Sequence, residues 1–118
     1  MRTPAAERSV EGMSDQQPEP VTDADADAQT PAAWSVADGM LTATYRAGNM
    51  VRGLELVTAV VGAAEQVNHH PDIDLRYPTV TFRLVTHSAG QLATFDIGLA
   101  RQISRIAEEM GIEGDRPA

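Results

Sequence analysis

The chain has 118 residues, no cysteine, nine basic and seventeen acidic side chains, and a formal net charge of −8. This length corresponds to about one domain, and the lack of cysteine excludes a disulfide framework, a cysteine zinc site and a thiolate nucleophile. The acidic balance argues against nucleic acid as a partner, because proteins that bind it present basic patches to the phosphates. No apolar run approaches the roughly 18 residues of a membrane helix, and no hydrophobic stretch typical of a secretory signal follows the N-terminus. We therefore expect a cytoplasmic protein with no membrane partner.

Residues 1–30 are predicted to be an acidic, disordered N-terminal tail. They contain seven acids, two arginines and three prolines, but almost no large apolar side chain. Such a segment cannot bury enough apolar surface to offset the entropy lost on ordering. The folded domain is therefore predicted over residues 31–113, and residues 114–118 are predicted to be a short C-terminal tail.

The first elements of the domain are predicted to be a β-hairpin. Asp38-Gly39 is a strong two-residue turn signal between apolar runs at 34–36 and 41–46. In the second arm, alternate residues share a face, so Leu41 and Tyr45 are expected on the buried side of the sheet.

A long helix is predicted after the hairpin, with Asn49 as its N-cap. Apolar residues then recur at helical spacing and predict a buried stripe. The stripe consists of Met50, Leu54, Val57, Val61 and Ala64, widened by Val60 and Val67. The helix is predicted to end before Pro71, because a residue that precedes proline disfavours helical backbone angles.

Two further strands and a second helix complete the predicted domain. A short strand is expected over 72–77, and the β-branched run over 79–87 predicts the clearest strand of the chain. The last helix is predicted to open at or beside Thr94 and to stop at Gly111, with Asp96 in its first turn, where a carboxylate favours the helix macrodipole. The order ββαββα predicts an α+β domain in which a four-stranded antiparallel sheet carries helices on one face.

All three histidines lie in this domain, His69 and His70 before Pro71 and His87 at the end of the strand over 79–87. One interpretation is structural, because most titratable residues carry no chemistry. A three-histidine metal site is disfavoured, because adjacent side chains diverge by about 100° on a helix and point to opposite faces of a strand. The third interpretation is acid–base catalysis, since imidazoles exchange protons near neutral pH. No glycine-rich nucleotide loop is present, so neither a metal nor a cofactor is expected.

The segments around these histidines resemble the signature of the pterin-4a-carbinolamine dehydratases. The resemblance rests on Glu65-Gln66-Val67-Asn68-His69-His70-Pro71-Asp72, on Tyr77, and on the run from Val80 to Thr86-His87. Together with Trp34, Tyr45 and the run Asp96 to Ala100, it covers about Trp34 to Met110. The chain departs from the family pattern where Ala93-Thr94-Phe95-Asp96 replaces a Ser/Thr-Glu-Arg-Asp run, and where Ser88 replaces an acidic residue.

This resemblance implies a single antiparallel sheet with helices across one face, assembled into homodimers or homotetramers. It implies dehydration of 4a-hydroxytetrahydrobiopterin, the product of aromatic amino acid hydroxylases, to quinonoid dihydropterin and water in tetrahydrobiopterin recycling. The implied general acid and base are among His69, His70 and His87, which would surround the pterin. The other implied substrate contacts are Pro71, Thr86, Ser88 and Ala89. Glu65, one helical turn before His69, is a candidate for orienting that ring.

Two rival interpretations stay open beside the enzyme. Relatives of this fold that have lost catalysis serve as assembly or dimerisation factors, and a protein could also bind a pterin without turning it over. The retained histidines favour catalysis, whereas the altered entry to the last helix favours the rivals. Assembly into oligomers is expected on physical grounds as well, because a core of about 80 residues is only marginally stable alone and an open sheet leaves edges to be paired.

Overall fold

The computed structural model describes residues 18–115. Its elements, in chain order, are α1 Asp23–Ala28, β1 Ser35–Ala37, β2 Met40–Arg46, α2 Met50–Val67, β3 Asp72–Leu75, β4 Thr79–Leu84, α3 Thr94–Glu109 and β5 Glu113–Gly114. A one-turn 3₁₀ helix, His87–Ala89, lies between β4 and α3.

The strands form one antiparallel sheet in the order β1-β2-β4-β3. The short strand β5 pairs with the end of β2, where Tyr45 lies opposite Gly114 and Arg46 lies opposite Glu113. The predicted four-stranded sheet therefore gains a fifth strand. The turn between β1 and β2 is formed by Asp38 and Gly39, whose φ angles of 55° and 76° suit the two-residue hairpin predicted for them. The α+β class predicted from the sequence is confirmed.

The hydrophobic core lies between the sheet and the two long helices. Alternate side chains of β2 and β4 are buried there against apolar residues of α2 and α3. The core-facing set comprises Leu41, Ala43, Tyr45, Val80, Phe82, Leu84, Leu56, Val60, Ile103 and Ala107. On the opposite face, the hydroxyls of Thr44 and Thr81 lie 2.8 Å apart across the β2–β4 pair. The face predicted for β2, with Leu41 and Tyr45 on the buried side, is correct.

The buried face of α2 differs from the predicted stripe. Met50, Leu54 and Val61 are exposed by 47%, 55% and 41%, whereas the helix buries Gly53, Leu56, Val60, Ala63 and Ala64. Because α2 is apolar on most of its circumference, helical spacing alone fits two different stripes. Gly53 decides between them, since a Cβ on this residue would lie only 2.8 Å from Leu75 Cδ1, and the glycine side is the one that approaches the sheet closely.

Residues 18–30 belong to the folded domain, so this part of the predicted tail is wrong; residues 1–17 lie outside the described residues. The Val21 amide donates to the Leu92 carbonyl at 3.0 Å, and the Thr94 amide donates to the Glu19 carbonyl at 2.9 Å. Ala26 on α1 is fully buried. Ala26 is the one residue of α1 that is buried, and a count of large apolar residues does not reveal so small a side chain.

The C-terminal boundary is also different from the prediction. Gly114 lies in β5, and the Asp115 amide donates to the Thr44 carbonyl at 2.7 Å. The sheet therefore extends into the segment predicted as a tail, and residues 116–118 lie outside the described residues.

The strand predicted over 79–87 ends at Leu84, which pairs with Leu41 of β2, and the pairing with β3 ends one residue earlier, at Arg83. Thr86 then forms an isolated bridge with Gln91, and this bridge closes the turn that contains the 3₁₀ helix. His87 consequently lies in a turn rather than at the end of a strand. The strand predicted over 72–77 is likewise shorter and ends at Leu75.

Candidate active site

The two histidines that follow α2, His69 and His70, differ in burial. Asn68 is the C-cap and adopts a left-handed conformation, with φ 53° and ψ 43°. The His69 amide donates to the Ala64 carbonyl at 3.1 Å, which holds this residue against the last turn of the helix. As a result the His69 side chain is only 11% exposed, whereas that of His70 is 52% exposed.

Asp96 is a fully buried carboxylate that connects three segments of the chain. Its Oδ1 lies 2.6 Å from His69 Nε2. Its Oδ2 accepts hydrogen bonds from Thr86 Oγ1 at 2.7 Å and from the Ala93 amide at 2.9 Å. The end of α2, the segment after β4 and the start of α3 therefore meet at one side chain.

The contacts of Asp96 determine how the His69 ring is oriented. An ionised carboxylate only accepts hydrogen bonds, so His69 Nε2 carries the hydrogen that it donates to Oδ1. In the neutral ring the remaining nitrogen, Nδ1, then carries a lone pair that can accept a proton. Phe95 packs against the same ring edge to face, with centroids 5.8 Å apart, so both hydrogen bonding and packing fix this imidazole.

Glu65 contacts His70 and not His69, contrary to the orienting role predicted for it. Glu65 Oε2 lies 2.7 Å from His70 Nε2. The left-handed Asn68 turns the chain back toward α2, which brings the residue five positions after Glu65, rather than four, beside it. Both side chains are largely exposed, and an exposed ion pair contributes little stability.

Four of the remaining predicted site residues, Thr86, His87, Ser88 and Ala89, lie in the turn after β4. Thr86 is buried and bonded to Asp96, whereas His87 and Ser88 are exposed and Ala89 is half-buried. Pro71, on the other side of the site, is half-buried. The structure thus joins His69 through Asp96 to Thr86, the direct neighbour of His87, while His70 is held separately by Glu65.

A cavity of about 530 Å³ opens beside His69, between the end of α2 and the first turns of α3. Its size lies within the range of pockets that hold small ligands. The lining residues are Gln66, Val67, Asn68, His69, Thr94, Phe95, Gly98, Leu99 and Gln102. The cavity therefore gives a small molecule access to the one histidine that the protein orients from within.

A second cavity, about 940 Å³ in volume, lies against β5 and the C-terminal half of α3, and no histidine lines it. Two of its polar lining residues, Tyr45 and Ser104, already form hydrogen bonds, since Tyr45 Oη lies 2.7 Å from Ser104 Oγ and accepts from Trp34 Nε1 at 3.1 Å. Burial raises the pKa of Tyr45, and the hydrogen bonds with Ser104 and Trp34 oppose that rise. We place the candidate site at the smaller cavity because His69, the histidine that Asp96 orients, lines it.

Two further features bear on the class of protein. Within residues 18–115, no three side chains of histidine, cysteine, aspartate or glutamate are grouped so that they could hold a metal ion. Over the same residues, no helix combines the length and the apolar character needed to cross a membrane.

Sheet, helices and site together define an α+β protein in which a buried carboxylate orients a histidine at the wall of a small cavity. The family model described as pterin 4 alpha carbinolamine dehydratase matches residues 19–106. The chain belongs to this family, so the predicted family is confirmed.

Individual relatives agree with the family assignment. A protein of Herpetosiphon aurantiacus is 45% identical over 73 residues, which are 62% of this chain and 76% of that protein. A protein of Mycobacterium sp. strain JLS is 42% identical over 90 residues, 75% of this chain and 96% of that protein. Both are provisionally named pterin-4-alpha-carbinolamine dehydratases. A crystal structure from Brucella melitensis, titled transcriptional coactivator/pterin dehydratase, matches with a TM-score of 0.68 and 24% identity over 74% of this chain and 97% of that one; it supports the fold.

The sequence predicts Asp96 only as a partner of the helix macrodipole, and its role in the site is a finding of the structure. One local signal points to it: a carboxylate at the third position of α3 follows Ala93, which has no side chain able to cap the helix. Such a carboxylate is expected to reach back to the N-cap amide, as in a capping box. Its bonds to His69 and Thr86, by contrast, depend on tertiary structure.

Proposed function

We propose that the protein dehydrates 4a-hydroxytetrahydrobiopterin to quinonoid dihydropterin and water by histidine acid–base catalysis, in tetrahydrobiopterin recycling after an aromatic amino acid hydroxylase. The observation that carries the proposal is the pair of His69 and buried Asp96 at the wall of the cavity. Burying the Asp96 carboxylate costs solvation free energy, and groups from three segments of the chain form hydrogen bonds with it. Family membership supports the same chemistry.

In the proposed reaction His69 is the base. The nitrogen N5 of the substrate loses its proton to Nδ1 of His69, while the N5 lone pair forms a double bond to C4a. The bond between C4a and the hydroxyl oxygen breaks in the same process. Asp96 keeps the hydrogen on Nε2 and stabilises the imidazolium that forms, in the way that a carboxylate supports a catalytic histidine elsewhere.

The departing hydroxyl needs a proton, because hydroxide is a poor leaving group. His70 and His87 are the two candidates for this acid, and because both are exposed, each can be reprotonated from solvent. We propose that Pro71, Ser88 and Ala89 contact the pterin from the turns that carry these histidines. The Thr86 hydroxyl is already used by Asp96, so Thr86 acts as a positioning residue.

Stopped-flow ultraviolet absorbance of chemically generated 4a-hydroxytetrahydrobiopterin tests this proposal directly. Relative to the uncatalysed decay, we expect the protein to accelerate the decay in proportion to its concentration. Each positioned proton transfer contributes about 10² to 10⁴ in rate. Decay at the uncatalysed rate with the folded protein would contradict the proposal and leave the binding and assembly alternatives.

The exposed apolar face of α2 supports a second proposal, which is assembly with another copy of this chain. Met50, Leu54 and Val61 are exposed, and with the half-buried Val57 they recur at spacings of four, three and four residues, the pattern of a helix–helix seam. The free edge strand β3 is a poorer interface, because it is four residues long and carries Asp72 and Asp74. We therefore propose a homodimer or homotetramer that packs through α2.

Replacing Leu54 with glutamate is expected to disrupt this assembly. Leu54 is more than half exposed in the single chain, so the variant should fold, yet a charge would be buried between the helices. Light scattering should give at least twice the chain mass of 12.6 kDa for the wild type and the single-chain mass for Leu54→Glu.

The control is Ala59→Glu, which adds the same charge at an exposed position on another side of α2. This variant should keep the wild-type mass. A monomeric wild type at micromolar concentration, or equal masses for all three proteins, would show that α2 is not the interface.

A further inference from the structure

A segment near the N-terminus pairs with the residues that lead into α3. The Val21 amide donates to the Leu92 carbonyl at 3.0 Å, and the Thr94 amide donates to the Glu19 carbonyl at 2.9 Å. The Glu19 amide donates in turn to Thr94 Oγ1 at 3.2 Å. These hydrogen bonds hold the chain on both sides of Ala93.

The geometry of this pairing leaves the backbone of Ala93 to Asp96. Pro20 and Ala93 lie opposite each other in an antiparallel bridge. Because the flanking residues make the cross-strand bonds, the amides and carbonyls of the two opposed residues point away from the pair, and a proline, which has no amide, costs nothing there. The Ala93 amide donates to Asp96 Oδ2 at 2.9 Å, and the Ala93 carbonyl accepts from the Asp96 amide at 3.0 Å.

Thr86, which also donates to Asp96 Oδ2, is tied to the same segment. Its amide donates to the Gln91 carbonyl at 3.3 Å, and an isolated bridge joins these two residues. Gln91 also reaches the N-terminal segment, because its Nε2 donates to the Val21 carbonyl at 3.2 Å. Residues 91–94 therefore lie between Thr86 and the N-terminal segment, and this arrangement holds both donors to Oδ2.

The pairing lies at the margin of the hydrophobic core. Glu19 and Pro20 are exposed, and Val21 is half-buried against the core. Ala26 on α1, fully buried, anchors the chain five residues after Val21. Loss of the pairing should therefore release the approach to α3 locally, without unfolding the domain.

We propose that residues 19–21 are a positioning segment of the candidate active site. By pairing with residues 92–94, they hold Asp96 in the place where it orients the His69 ring. The inference rests on the proposed function, in which Asp96 keeps the hydrogen on His69 Nε2. Residues 19–21 do not line the cavity beside His69, so their effect on the reaction passes through Asp96.

The substitution Val21→Pro tests the pairing directly. Proline removes the amide that donates to Leu92, and its ring takes up the space of the hydrogen bond. The preceding Pro20 lies in an extended bridge, a conformation that a following proline favours. We expect kcat for 4a-hydroxytetrahydrobiopterin to fall about ten- to a hundredfold, because a misplacement of about 1 Å costs up to about 10² in rate. Circular dichroism at the temperature of the assay checks that the variant is folded.

Two control variants separate the lost amide from other changes. Val21→Ala shortens the same side chain and keeps the amide. Asp23→Pro adds a proline at the first residue of α1, where proline is tolerated and where Thr22 already has the extended backbone that precedes one. Both controls should keep wild-type kcat. A loss in Val21→Ala equal to that in Val21→Pro would assign the effect to side-chain packing and overturn the inference.

The hydrogen on the His69 ring gives a readout that a general loss of stability would not move. Long-range ¹H–¹⁵N correlation spectra of the folded protein, without substrate, show which ring nitrogen carries the hydrogen. We expect Nε2 in the wild type and in both controls, and a mixture of the Nε2 and Nδ1 forms in Val21→Pro. Wild-type ring signals in folded Val21→Pro would overturn the inference, whatever its kcat.

A second proline keeps the inference testable if Val21→Pro does not fold. Glu19 is exposed, and Glu19→Pro removes the amide that donates to Thr94 Oγ1. This variant should shift the His69 ring in the same direction by a smaller amount, whereas Glu19→Ala, which keeps the amide, should match the wild type. Wild-type ring signals in Glu19→Pro would then overturn the inference.

The outcomes separate this inference from the proposed activity. A shifted His69 ring in Val21→Pro, with a wild type that does not accelerate the decay of 4a-hydroxytetrahydrobiopterin, would contradict the dehydration and support the positioning segment. Acceleration by the wild type, combined with unchanged ring signals in Val21→Pro, would support the dehydration and contradict the positioning segment.

Discussion

Replacing His69 with alanine is expected to lower kcat for 4a-hydroxytetrahydrobiopterin by about 10² to 10⁴, the usual loss when a positioned proton-transfer group is removed. His69 is the histidine whose ring the structure fixes, through Asp96 on one side and Phe95 on another. Because the substitution removes the proposed base and leaves most cavity walls intact, KM should change much less than kcat. Stopped-flow absorbance at several substrate concentrations measures both constants.

Added imidazole distinguishes a chemical role of His69 from a structural one. A free imidazole can occupy the space left by the side chain, so it should restore part of the activity of His69→Ala. Glu109→Ala, on the exposed surface of α3, is the control and should keep wild-type kcat. His70→Ala and His87→Ala then identify the acid, which is the residue whose loss costs more. Wild-type rates in all three histidine variants would refute the catalytic proposal.

Local signals in the sequence predict local structure well in this protein. Asp38-Gly39 forms the predicted hairpin turn, Asn49 caps the start of α2 and the helix ends before Pro71, because a turn type and a helix end depend on few neighbouring residues. The alternation of β2 and β4 also predicts which side chains are buried. These features need no knowledge of where distant segments pack.

Features that depend on tertiary packing could not be predicted in the same way. The buried side of α2 is set by the close approach at Gly53, and the apolar spacing of the helix fits the wrong side equally well. The place of residues 18–30 depends on backbone hydrogen bonds to Leu92 and Thr94, more than 70 positions away. Length and composition carry no information on such pairings.

In the candidate site, too, the sequence predicts local features but not the contacts that depend on tertiary packing. Its histidines stand out because imidazoles are rare and chemically versatile, and the resemblance to the family adds their grouping. The partners of His69 and His70 follow from the reversal of the chain at Asn68 and from the approach of α3. Asp96 therefore takes the place beside His69 that sequence spacing suggests for Glu65, and Glu65 contacts His70. For His69, the acidic residue that is close in sequence is not the one that contacts it in the structure.

Asp96→Ala is expected to lower the free energy of unfolding by about 3 to 5 kcal/mol, the range found when one member of a buried polar pair is removed. Thr86 Oγ1, the Ala93 amide and His69 Nε2 would all lose their acceptor at once. The Ala93 bond also caps α3, so part of the loss should appear as fraying of the first turn of that helix. Denaturant unfolding followed by circular dichroism measures the change, and Asp27→Asn, on the exposed side of α1, is the control for the loss of one charge.

Asp96→Asn separates the structural role of this side chain from its proposed role in catalysis. Asparagine retains the size and one acceptor oxygen, so it should cost less stability than alanine. Its NH₂ group can donate to His69 Nε2, which would move the ring hydrogen to Nδ1 and block the proposed base. We therefore expect a loss in kcat of about 10² or more with a folded protein. Wild-type kcat in Asp96→Asn would show that the orientation of His69 by this carboxylate does not serve the reaction.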